Sequence, residues 1–279
     1  MKFQGRIRKI AVLLLAVSLS APVWAGSYDL TVPAGSPPAD PIANLNIPAP
    51  RARMSPELAL ALYNSNARWQ AQQLGESADT TTIVADLPGA SKRGEFTLKR
   101  MFSAPKSLAF KSINFVGDGF VKTNVIARLL QSEADHVQKD QPSDTAITDQ
   151  NYKFNYKGTE EINGRLSHVF QVKPRHKRSG LFKGKVYIDA YSGSMLRAEG
   201  RLVKSPSLFI KKVEFVQDYA QVGEFNLITH IHSVADTRII GEAVVDITHR
   251  DYQVRSLAQV LSSTRNGKLL STSFENPGN

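Results

Sequence analysis

The chain contains no cysteine. That absence excludes disulfides, thiolate nucleophiles, cysteine metal sites and any lipid carried on an N-terminal cysteine. It also lacks a P-loop, a G-x-G-x-x-G turn and an H-E-x-x-H helix. "GLFKGK" (180–185) ends in Gly-Lys, but neither the earlier glycine nor the following Ser/Thr of a phosphate loop is present. "YSGSM" (191–195) sets a serine beside a glycine without the G-x-S-x-G pattern, in a predicted hairpin turn. No catalytic residue, metal ligand set or cofactor is assigned.

Long apolar runs are scarce as well. "IAVLLLAVSLS" (10–20) follows Lys2, Arg6, Arg8 and Lys9 and precedes "APVWA" (21–25). This is the layout of a Sec-type signal peptide, residues 1–25, with cleavage expected after Ala25. The run is short of the ~20 residues that span a bilayer, so an exported, soluble protein of the periplasm is expected, with an uncleaved anchor as the alternative. Export without disulfides leaves the core to hold the domain together, and the chain is long enough for one. The net charge is +10, and the first 25 residues hold four cations and no acid, leaving +6. A moderately basic exported protein suits anionic envelope surfaces better than nucleic acid.

Residues 26–53 ("TVPAGSPPADPIANLNIPAP" within them) are rich in Pro, Ala, Gly and Ser, and read as a flexible linker, with a docking peptide as the alternative. A domain over 54–254 follows. Ser55, Pro56 and Glu57 supply a cap, a first residue and a first-turn acid for a helix ending near Gly75, frayed around Asn64–Asn66. From Thr80 onward, β-branched and aromatic runs alternate with Gly, Pro and Asn turns. One stretch breaks the pattern: Thr123–Gln138, where Val125, Ile126, Leu129 and Leu130 recur at helical spacing. Nine or ten strands with so few helices predict a mainly β (α+β) fold. The expected form is a curved antiparallel, incompletely closed β-barrel of 9–11 strands with two or three helices across the open side. Residues 255–279 read as a polar, loose tail.

Six histidines are present. His230 and His232 lie two apart on a strand and share a face, half of a metal site that lacks a named third ligand. They read as a surface or rim pair. Glu133 and His136 read as an exposed helical pair, and His249, near Asp251, as a satisfied strand-end residue. Lys173, Arg175, His176, Lys177, Arg178, Lys183 and Lys185 form a basic cluster. It is a solvated loop or a rim that meets headgroups or a partner, with Arg175, Lys177, Arg178 and Lys183 as the rim candidates.

The order "GFVKTNVIARLLQSE", "AITDQNYKFNYKGTEEINGRLSHVFQVKPRHKR" and "LFKGKVYIDAYSGSMLRAEGRLVKSPSLFIKKVEFVQDY", within Ser112–Gln253, resembles the outer-membrane lipoprotein-sorting protein family, with its LolA/LolB-like fold. The resemblance implies about eleven strands, a hollow for acyl chains, and a role as a lipid or lipoprotein carrier without enzymatic activity. It transfers no docking or release residues. On this reading Thr123–Gln138 is a lid whose Val125, Ile126, Leu129 and Leu130 face the ligand, and Phe115, Phe120, Phe209 and Phe215 line the hollow. The alternative is that these side chains plug a closed core. Partners would be acyl chains, the membrane surface or an inner- or outer-membrane protein. A sensor of the same fold and an envelope hydrolase around His230, His232 and Asp236 are the rival functions.

Overall fold

The computed structural model describes residues 52–139, 145–206 and 208–263. The expected signal peptide, nearly all of the expected linker and the tail beyond residue 263 lie outside the described residues.

Helix α1 runs Pro56–Gln73. Ser55 Oγ accepts from the Leu58 N–H at 3.2 Å, Pro56 sits at the first position, and Glu57 lies in the first turn. This is the expected N-terminus, with orphan donors satisfied and an acid at the positive end. The expected fraying is not found. Asn64 is buried, donates to Leu60 O at 3.0 Å and accepts from the Asp149 N–H at 3.2 Å. Strand β1 (Leu74–Leu87) begins where α1 ends, followed by β2 (Lys92–Ser103) and β3 (Ser107–Gly117). A helical crossing comes next, composed of α2 (Gly119–Val121), a π-helix (Lys122–Ile126) and α3 (Ala127–Gln138). The remaining strands are β4 (Tyr152–Ile162), β5 (Arg165–Pro174), β6 (Phe182–Asp189), β7 (Met195–Leu202), β8 (Ile210–Val222), β9 (Phe225–Thr237) and β10 (Glu242–Ser256).

All ten strands belong to one antiparallel sheet, in the order β3-β2-β1-β10-β9-β8-β7-β6-β5-β4. Consecutive strands pair except β3 and β4, and β1 takes β10 as its second neighbour. The two outermost strands, β3 and β4, do not pair with each other, and the helical crossing is the chain that connects them. The sheet is therefore an open, curved barrel with the helix laid from one edge to the other. Its curvature follows from the core: Ile83 on β1, Leu98 on β2, Val172 on β5, Phe182 on β6, Phe215 on β8 and Val245 on β10 join Ile126 of the crossing in one apolar cluster. A flat sheet of this width could not gather residues from both halves around one short helix.

Local chemistry sets the hairpins. Asn163 and Gly164 both take positive φ, 51° and 74°, as a two-residue β4–β5 turn demands. The "YSG" turn between β6 and β7 is capped by Asp189 Oδ1, which accepts from the N–H groups of Tyr191 and Ser192 at 3.0 and 2.7 Å. It is a structural Asx turn. Gly184 and Gly200 face each other across β6–β7, and a Cβ on Gly184 would collide with the Glu199 carbonyl. Part of the expected loose tail is ordered instead: β10 continues to Ser256, and residues 257–263 are helical.

Candidate functional site

The apolar stripe expected on the crossing is buried. Val125 and Ile126 lie in the π-helix, and Leu129 one turn on in α3; all are within the main core cluster, and Leu130 packs at its border half-buried. A π-turn at this place widens the helix by one residue, which brings adjacent Val125 and Ile126 both inward. Phe215 is buried and meets Phe182 edge-on at 4.9 Å. Phe209 stands half-buried just before β8, and its carbonyl accepts from the Arg238 N–H at 2.8 Å. Phe115 and Phe120 are half-buried where β3 passes into the crossing. Phe115 packs edge-on against Phe96 at 6.1 Å, with Lys122 Nζ 4.9 Å above its ring, and Lys92 Nζ lies 5.6 Å from the Phe120 ring. Phe115 and Phe120 thus stand half-buried with a cation beside each ring, whereas Phe215 belongs to the core cluster.

A buried polar network was not foreseen. Asp79 on β1 and Arg100 on β2 are directly opposed in register, and both are almost wholly buried. Arg100 donates from Nη1 to Asp79 Oδ2 at 3.3 Å and from Nε to Glu133 Oε1 on α3 at 2.9 Å, with Nη2 2.8 Å from the same oxygen. His249 Nδ1 on β10 donates to Asp79 Oδ1 at 3.0 Å, and Thr81 Oγ1 donates to that oxygen too. Burial alone would push the Asp79 carboxyl up. The His249 hydrogen bond, the Arg100 charge and the Thr81 hydroxyl outweigh it and hold Asp79 below the usual carboxylate range. Burial likewise works against the Arg100 charge, but Glu133 and Asp79 hold its pKa above the ordinary arginine value.

Two expectations change here. Glu133 is no exposed partner of His136: it is pinned to Arg100, while His136 Nε2 lies 3.3 Å from Thr145 Oγ1. His249 is not at a strand end but inside β10, facing Thr81 in register. Beside it the β1–β10 register slips opposite Asp251, whose φ is 55°. This bulge lets the backbone turn next to the charged cluster. The signal in the sequence was a parity: Asp79 and Thr81 share the inward face of β1 with Ile83, Ala85 and Leu87.

Other buried polar atoms face the interior. Gln217 on β8 accepts from Tyr219 OH at 3.1 Å, but among the described residues its Nε2 has no partner, and neither has Ser233 Oγ on β9. On the outer face, the β8–β9–β10 register supplies the carboxylates that His230 and His232 needed. His232 Nδ1 lies 2.9 Å from Asp246 Oδ1, His230 Nε2 3.4 Å from the same atom, and His230 Nδ1 3.8 Å from Asp218 Oδ2. Asp236 is elsewhere, 3.3 Å from Lys211. Among the described residues no group of three or more His, Asp or Glu is arranged to hold a metal ion. Of the rim candidates, Arg175 donates from Nε to Asp149 O at 2.8 Å, and Lys177, Arg178 and Lys183 are exposed on and beside the β5–β6 loop. No described helix is long and apolar enough to cross a membrane.

No family model and no curated protein matches the chain. Solved structures do. The chain is similar to a putative outer membrane lipoprotein-sorting protein domain from Vibrio parahaemolyticus (14% identity, TM-score 0.38, 71% of this chain and 92% of that one). It is similar also to a DUF1329 family protein from Desulfovibrio piger (9%, 0.36, 71% and 92%) and to a LolA superfamily protein from Nitrosomonas europaea (9%, 0.34, 72% and 94%). At these identities the likeness concerns the fold, and the fold rests on the chain's own strand order: an open, curved antiparallel sheet with helices across its open side.

Proposed function

We propose that this chain is an exported, non-enzymatic binder of acyl chains, borne by a lipid or a lipoprotein, which it holds between the inner face of the sheet and the helical crossing. One observation carries the reading: the sheet stays open between β3 and β4, and the apolar face of the crossing fills that opening. An acyl chain entering an empty hollow would gain ~0.8 kcal/mol per CH₂, enough to make release very slow. Here it must first displace Val125, Ile126 and Leu129, each worth roughly 1.5–3 kcal/mol of burial, so the exchange is nearly balanced and reversible. Arg100 and Glu133 supply the directional contact that returns the crossing to its place. Gln217 Nε2 and Ser233 Oγ offer donors to an ester or amide carbonyl at the head of such a chain.

The test is to purify the protein after export, extract it and identify bound lipid by mass spectrometry, with native mass measured in parallel. Stoichiometric phospholipid or acylated peptide is expected. An empty protein that also takes up no fluorescent fatty acid overturns the reading. The unpaired edge of β3, which exposes Ile113 and Val116, favours a second reading, a sensor of the same fold that adds a partner's strand there. Recovery of an envelope regulator on the wild-type chain but not on Val116→Pro would support it.

A further inference from the structure

The antiparallel order places every second connection at one end of the barrel. At one end lie the β1–β2, β5–β6, β7–β8 and β9–β10 connections and the β3–α2 junction. They form a continuous rim. Lys92 Nζ meets Asp118 Oδ2 at 2.6 Å, and Gly89 packs under the Ile240 carbonyl. Arg238 donates from Nε to Leu208 O at 3.0 Å, and the Val203 N–H donates to Leu181 O at 2.9 Å. Leu208 on this rim has the greatest exposure among the described large hydrophobic side chains. Leu208 is 89% exposed and Ile239 47%, on neighbouring loops tied by Arg238.

Charge distinguishes this end from the other. Arg93, Lys122, Lys177, Arg178, Lys204 and Arg238 are exposed here. Of the acids at this end, Asp118 and Asp236 are engaged by Lys92 and Lys211; Asp86, Glu95 and Glu242 dilute the remainder. The opposite end also exposes apolar groups, Trp69 and Leu261 among them, but there Glu76, Glu160, Glu161 and Glu224 offset the cations Lys106, Lys157, Arg165 and Arg255. Apolar exposure alone does not choose an end, whereas charge does. An aliphatic tip flanked by cations is the arrangement that inserts into an anionic bilayer surface, the apolar groups entering the headgroup region and the cations meeting phosphates.

We propose that the end bearing Leu208 and Ile239 docks on an anionic phospholipid bilayer. Resting on the acyl-chain reading, this orients the molecule with Phe115 and Phe120, at the β3–α2 junction of the same end, toward the membrane that donates or receives the chain.

The experiment is co-sedimentation of the exported protein with vesicles of phosphatidylcholine, with and without about one third phosphatidylglycerol. Wild type should bind the anionic vesicles at least tenfold more tightly than the zwitterionic ones, given roughly fivefold per cation near such a surface. Leu208→Asp with Ile239→Asp should lose most of that binding; Lys177→Glu with Arg178→Glu should weaken it and flatten its salt dependence. Leu261→Asp at the other end should leave it unchanged. Leu208→Trp should bind at least as well, with the emission of the added indole shifted to the blue on vesicles. Equal binding to both vesicle types, loss only in Leu261→Asp, or no blue shift in Leu208→Trp would overturn the docking. Bound lipid measured on the same preparations separates the two claims. Docking variants should keep their lipid, whereas a lipid-free wild type that still sediments would sink the carrier reading alone.

Discussion

The two walls of the barrel differ in kind. The wall of β5, β6 and β7 turns inward Phe170, Val172, Val186, Ile188 and Ala198, apolar but for His168, whose Nε2 lies 2.9 Å from Met54 O. The wall of β1, β2 and β10 turns inward Ile83, Ala85 and Leu98 near one end and Asp79, Thr81, Arg100 and His249 near the other. The helical crossing meets both characters, with Ile126 and Leu129 in the apolar cluster and Glu133 on Arg100. Apolar burial is non-directional and supplies most of the energy; a buried charged hydrogen bond supplies position. The difference teaches that the crossing is held strongly by contacts any apolar ligand can replace, and placed by contacts that such a ligand cannot.

The sharpest way to break this comparison is Arg100→Leu. It strands Asp79 and Glu133 without their counter-ion, and a loss of about 3–5 kcal/mol is expected in urea unfolding. Adding Asp79→Asn and Glu133→Gln should recover much of that loss, because removing a whole buried network costs far less than halving it. Next comes Ile126→Ala, which opens a void in the apolar cluster and should cost about 2–4 kcal/mol by the same measurement. Acid should act on the polar wall rather than on the apolar cluster. The Asp79 pKa is lowered in the folded state. Its contribution is therefore complete above the unfolded carboxylate value of ~3.9 and is lost as pH falls through the folded value. Asp79→Asn should flatten that low-pH limb of stability, while Ile126→Ala should leave its shape alone. Glu133→Gln, with a neutral amide in the same space, should cost about 1 kcal/mol but speed amide exchange in α3 relative to β1 and β10. The smallest effect belongs to the outer surface. Lys185→Ala breaks an exposed 3.5 Å pair with Glu160 and should change stability by less than about 0.5 kcal/mol.

Much of this was legible before any coordinates. Ser55-Pro56 announced α1, Asn163-Gly164 announced the β4–β5 turn, and the spacing of Val125, Ile126 and Leu129 announced the crossing. The charged network was not. Asp79 and Arg100 are 21 residues apart, and Glu133 and His249 come from two further elements. Parity along β1 and β2 puts Asp79 and Arg100 on the inward face, but nothing local says that an inward charge has a partner. The histidine pair shows the same limit: His230 and His232 share a face by strand period alone, yet Asp218 and Asp246 reach them only through register.

What the sequence by itself determined are the properties with a short period. These are the elements, their caps and turns, the apolar stripe of the crossing, and a mainly β chain too poor in helix to cover a flat sheet. They are decided by neighbours within a few residues, where backbone sterics and side-chain alternation act directly. Only the tertiary structure decided that β10 pairs with β1, that the crossing joins the two free edges, that Arg100 finds Glu133, and that Leu208 and Arg238 share one end with Lys177. Those depend on which strands become neighbours and in what register. That choice is made by the closing of one core over the whole chain, not by any single stretch of it.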